Sequence, residues 1–188
     1  MTMDPRTGTM PPARSLAWLT FPLACGIGVS VALGVYGKLH DPTGIAVNVS
    51  GFSSPQTVKV WLASGAITLA VVQLVAALVM YGKIPVQAPP WIGTLHRWSG
   101  RLAFLLTLPV VVHCLYALGF ATYSTRVLLH SLAGCFFFGA FTVKMLILPR
   151  HGVPGWALPL FGGLVFTALT VVWLTSSFWF FTTVGVKL

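Results

Sequence analysis

Residues 95–120 read LHRWSGRLAFLLTLPVVVHCLYALGF. Arg97 and Arg101 lie near the start of this stretch and no charge follows them. The uncharged remainder is about as long as the roughly 20 apolar residues that cross a bilayer core as a helix. The stretch opens on His96 with Gly100 four residues on, and it carries His113 towards its far end. The same spacing returns where His130-Ser131-Leu132-Ala133-Gly134 opens a second apolar run. An imidazole within a membrane is costly unless something holds it, so each histidine inside such a run is a functional candidate.

Outward from this stretch the chain repeats the same architecture. Apolar runs at 15–36, 58–81, 95–120, 126–148 and 156–181 predict an all-α integral membrane protein, a bundle of five transmembrane helices forming one domain over 15–188. Residues 1–14 are polar and basic and read as a short disordered cytoplasmic tail. The first run is too long for a signal peptide and lacks a cleavage site. Prolines 85, 89 and 90 set a firm turn after the second run, and Pro109 is expected to kink the third. Gly26, Gly28 and Gly34 suggest close packing of the first helix, and Gln73 suggests an interhelical hydrogen bond.

Charge narrows the function. Hydrophobic residues make up 56% of the chain and charged residues only 7%, which excludes a soluble domain. The 11 basic residues are dispersed near the ends of apolar runs, where they anchor helices to lipid headgroups; nothing points to nucleic acid. Asp4 and Asp41 are the only carboxylates and lie outside the runs. Proton-coupled transport and two-carboxylate hydrolysis therefore lack their residues. Cys25, Cys114 and Cys135 form no Cys-x-x-Cys pair and read as small buried hydrophobes. Arg6, Arg14, Lys83, Arg97, Arg101, Lys144 and Arg150 fall on one side of the bundle and Lys38, Lys59, Arg126 and Lys187 on the other. That asymmetry predicts a multi-pass protein of the cytoplasmic membrane, N-terminus inside and C-terminus outside.

The same geometry sorts the histidines. The third and fourth runs are expected to pair as an antiparallel hairpin around Tyr123. His113 and His130 then differ in depth by about 4–5 Å in the outer half. His96 and His151 share a level at the cytoplasmic edge, and His151, in a Gly/Pro turn, is not expected to be a ligand. Haem iron is the holder that best suits these residues: neutral imidazole ligates it, and a small residue one turn away leaves room for the macrocycle. His113 and His130 are the expected axial ligands of one b-type haem, with Gly134 against the ring and Arg126 near its propionates. A second site is open at His96, with Gly100 beside it and Arg97 and Arg101 close by; a haem, an anionic quinone or a lipid headgroup would suit it. The plainer alternative leaves His113 and His130 bonded to backbone or hydroxyl groups such as Ser131.

The two His-x-x-x-Gly starts and the aromatic-rich helices that follow them resemble the cytochrome b-561 and ferric-reductase-like transmembrane haem proteins, over residues 95–150. At full length the chain also resembles small multi-span membrane proteins of actinobacteria. The first resemblance implies bis-histidine b haems between helices, carrying electrons across the membrane, with His96, His113 and His130 in ligand-type positions. The second and fifth runs carry no histidine, whereas the cytochrome b-561 pattern spreads ligands over four successive helices. There is also no Gly-x-Gly-x-x-Gly fingerprint for flavin or nicotinamide. A redox partner protein or a quinone would have to complete the path. The expected role is electron transfer within or to a respiratory or redox complex, catalysis of its own being open; the alternative is a haem-free accessory subunit of a larger membrane complex.

Overall fold

The computed structural model describes residues 17–188, so the expected tail at 1–14 lies outside the described residues. Five helices are long and apolar enough to span a membrane, and no strand occurs among the described residues. They are α1 (Ala17–Leu39), α2 (Pro55–Met80), α3 (Ile92–Leu118), α4 (Thr125–Ile147) and α5 (Ala157–Thr183). The start of α2 lies three residues ahead of the apolar run. Ser54 caps it by accepting from Thr57 N–H at 3.2 Å, while Ser54 N–H donates to the Thr57 hydroxyl at 3.2 Å, and Pro55 supplies the first helical residue.

Two helices widen into π-turns at the same end of the bundle. In α3 the wide turn covers His113–Leu118, directly beyond Pro109. A proline has no N–H for the carbonyl four residues back, so the helix must slip its bonding register nearby. In α5 the wide turn covers Leu174–Phe178. Here the hydroxyls of Thr175 and Ser176 donate to the carbonyls of Val171 and Val172, at 2.6 and 2.7 Å, in competition with the backbone ladder. The carbonyls of Tyr116 and Ala117 at the end of α3 are satisfied by the loop after α1: Thr43 and Gly44 donate to them, each at 3.2 Å. In that loop His40 is stacked between Tyr36 and Tyr116.

The helices pack α3–α2–α5–α4–α1 around the bundle, with the wide turn of α3 touching α1. This corrects the expected α3–α4 hairpin. The two helices are consecutive, yet α3 lies against α2, and α4 lies against α1 and α5. Rings span the seam between them instead: Phe104 stacks on Phe141 at 4.0 Å and meets Phe138 edge-on at 6.0 Å. Small residues govern the closest approaches. Gly26 of α1 lies against Gly139 of α4, where a Cβ at Gly26 would come within 2.7 Å of the Gly139 carbonyl oxygen. Ser30 completes that joint by donating to the Cys135 carbonyl at 3.1 Å. Gly26 thus fulfils the packing role read from the sequence, whereas Gly28 faces open space.

Candidate functional site

His130 sits in the first two turns of α4, at the end of the bundle that carries both π-turns. Its Nδ1 is 3.2 Å from the Thr175 hydroxyl oxygen. That hydroxyl also donates to the Val171 carbonyl at 2.6 Å, and the Val172 carbonyl is a further hydrogen-bond partner of the His130 ring. The ring is thus held from α5, by the kind of hydrogen bonding that also orients metal-ligating histidines. Arg126 braces the arrangement from below. Its guanidinium donates to the Thr175 carbonyl at 2.5 Å and lies over the Trp179 ring at 3.8 Å.

Gly134, one turn beyond His130, would give a Cβ nothing to touch within 4 Å. Two small cavities, each of about 60 Å³, meet at this residue and His130. One lies towards α1 and reaches Leu33 and Cys135; the other lies among α2, α3, α4 and α5 and reaches Ala63 and Val172. Val111 and Cys114 of α3 separate them and line both. Each has room for a few waters rather than a macrocycle. A haem would have to part α3 from α4, and the seam between those helices is held by side chains alone.

The structure brings only some of the expected residues together. His113 is half-buried one residue from Cys114, its ring makes no hydrogen bond among the described residues, and it lines neither cavity. Ser131, the suggested hydroxyl partner for a histidine, instead donates to the Ala121 carbonyl at 3.1 Å. His96 and Gly100 form a different environment. His96 Nδ1 lies 3.1 Å from the Gln73 carbonyl oxygen, and the Gln73 amide donates back to the His96 carbonyl at 3.4 Å. The space in front of Gly100 is filled: a Cβ there would overlap the Gln73 side chain. Arg97 donates to the Thr94 hydroxyl at 3.3 Å, and Arg101 lies over the Trp98 ring at 5.1 Å. Both stay on the exposed side of their own helix and Arg150 donates to the Trp18 carbonyl of α1, so of the cations expected at this level, Lys144 is the one that acts electrostatically on His96.

Two residues at the His130 end escaped the sequence reading. Thr175 was one hydroxyl among many in an apolar run. Lys59 was counted as a helix-end anchor, yet it is only 8% exposed. Its position inside Val58-Lys59-Val60 was the available signal.

Residues 19–188 match the family of unknown function DUF6529. The chain belongs to DUF6529. No curated protein and no solved structure matches it. In this DUF6529 chain His130, Thr175, Arg126 and Gly134 come together at one end of the bundle.

Proposed function

We propose that this chain is a multi-pass membrane protein that binds one b-type haem in the His130 half of the bundle and transfers electrons. Membrane insertion is supported by large apolar side chains facing outward along the helices, among them Ile27 and Val112, each 62% exposed. The basic-residue asymmetry favours a cytoplasmic start to α1, which puts the His130 half towards the outer face. Reporter fusions in each interhelical connection test this; a 119–124 connection reporting from the cytoplasm overturns it.

The haem reading is carried by one observation: an imidazole held from α5 by the Thr175 hydroxyl, one turn from a glycine that faces open space. His113 is the candidate for the second ligand, being the other imidazole on α3 or α4 in this half. Haem held by His130 and His113 would supply a one-electron couple, and ligation by two imidazoles would favour electron transfer over oxygen chemistry. The residues of the chain have simpler tasks. Thr175 holds the His130 ring, Arg126 holds the wide turn that presents Thr175, and Gly134 leaves open space beside the imidazole.

The deciding experiment is a pyridine haemochrome assay and a reduced-minus-oxidised spectrum on the full chain purified after expression with haem supplied. One haem per chain, lost in His130→Ala, is the expected outcome. A colourless protein, or a spectrum indifferent to His130→Ala, overturns the reading. The small size of the two cavities favours the alternative, a haem-free subunit in which His130 ties α4 to α5. On that reading His130→Ala lowers thermal stability and no chromophore is ever found.

A further inference from the structure

The cavity shared by α2, α3, α4 and α5 has a volume of about 60 Å³ and an almost wholly apolar wall. Val110, Phe138, Leu169 and Val172 are typical of it. The few polar groups in the wall are already hydrogen-bonded. The Thr107 hydroxyl donates to the Phe104 carbonyl at 2.6 Å, and the His130 ring is held by the Thr175 hydroxyl and the Val172 carbonyl. Cys114 adds a thiol, which bonds weakly and packs as a small hydrophobe. Ser177 Oγ, the one buried side-chain polar atom without a partner among the described residues, is not part of this wall. A buried water is stable when roughly two to four polar groups hold it, and this wall does not supply them. The space is therefore dry.

Such a space weakens packing, because the atoms around it have no neighbours on one side. Small residues keep it open. Ala63 of α2 is buried and contributes only a methyl group to the wall, and a Cβ at Gly134 would meet nothing within 4 Å. The adjoining seam between α3 and α4 is closed by rings: Phe138, itself in the wall, meets Phe104 edge-on at 6.0 Å. Leu105 and Leu108, on either side of the wall residue Thr107 in α3, are exposed on the outside of the bundle. If that outside is lipid, it is a solvent into which small apolar molecules concentrate from water.

We infer that this cavity binds one small, uncharged, apolar molecule drawn from the bilayer, of the size of dioxygen or a xenon atom. Volume and wall together set the class. About 60 Å³ is several times too small for a ring-sized ligand, and a wall without free hydrogen-bonding groups penalises a polar or charged one. The inference goes beyond the haem reading and does not need it, since the cavity exists with α3 and α4 closed on each other.

The test is methyl NMR on the full chain in nanodiscs, with isotope-labelled alanine and valine, under rising xenon pressure. The Ala63 and Val172 methyl signals should shift along a saturating curve. Those of Val31 and Val112, exposed on the outside, should drift linearly as xenon dissolves in the lipid. Dioxygen in place of xenon should broaden the same two cavity methyls by paramagnetic relaxation, again to saturation. Ala63→Leu fills the cavity and should abolish the saturating component at Val172. Gly134→Ala adds a single carbon and should weaken it, which keeps the comparison if leucine at 63 prevents folding. Linear shifts at both cavity methyls of the wild type overturn the inference. Nuclear Overhauser contacts from them to water, or to the ends of lipid chains, overturn it as well, since the cavity is then wet or filled by an acyl tail. A haemochrome assay on the same sample reads the haem proposal separately: a colourless protein with saturating xenon shifts overturns that proposal and sustains this one.

Discussion

His96 with Gly100 and His130 with Gly134 are the same five-residue pattern at the start of two neighbouring helices, yet they fold into opposite environments. At the first, a glutamine from α2 enters the space the glycine leaves and bonds to His96 in both directions. At the second nothing enters the space before Gly134, and the imidazole is held from α5 by the Thr175 hydroxyl. One pair is a closed polar clasp between helices; the other leaves open space one turn from its imidazole. Identical local sequence therefore does not fix the use of the site. The side chain that a third helix contributes decides it.

The comparison can be broken at several points. The largest effect is expected from the histidines themselves: His130→Ala should abolish the haem spectrum and His96→Ala should leave it, as read by haemochrome assay. Equal losses would make the two sites equivalent. Next come the glycines. Gly100→Ala should destabilise the haem-free chain by about 1–3 kcal/mol through overpacking against Gln73. Gly134→Ala should instead leave it unchanged or stabilise it by up to about 1 kcal/mol, since alanine is the better helix former. Thermal melting in detergent compares them directly. Removing the intruder sharpens the contrast: in a Gln73→Ala background the Gly100→Ala penalty should largely vanish, a coupling of roughly 0.5–3 kcal/mol in a double-mutant cycle. The smallest expected change is from Thr175→Val, which removes the hydroxyl partner of His130 Nδ1 at a cost of about 1–2 kcal/mol to the apo fold. If haem binds, this variant should also broaden or shift its low-spin signal.

The helices were legible because a run of apolar residues needs no context, and their ends were less so. The start of α2 depends on Ser54, Pro55 and Thr57, which the apolar run does not include. Pro109 announced its wide turn; the one in α5 was hidden in Thr175-Ser176-Ser177, whose hydroxyls look ordinary in a row of apolar residues. The open space at Gly134 and the filled space at Gly100 could not be read locally, because Gln73 lies on another helix. Lys59 was misjudged for a related reason. Burial is a property of the packed bundle, and the neighbours of α2 cover most of this side chain.

The joint between α1 and α4 carries a consequence for synthesis. Ser30 and its acceptor, the Cys135 carbonyl, are separated by 105 residues, and the glycine contact beside them spans a similar distance. At roughly 5–20 residues per second, the ribosome needs about 5–20 s to make what lies between. Although α1 emerges ahead of α2 to α5, it is thus among the last of them to find its main partner. For those seconds its Gly26 notch and the Ser30 hydroxyl stand unoccupied, open to any passing helix. Correct assembly of this chain is a race in which α2 and α3 can pair early, while α1 must wait for α4.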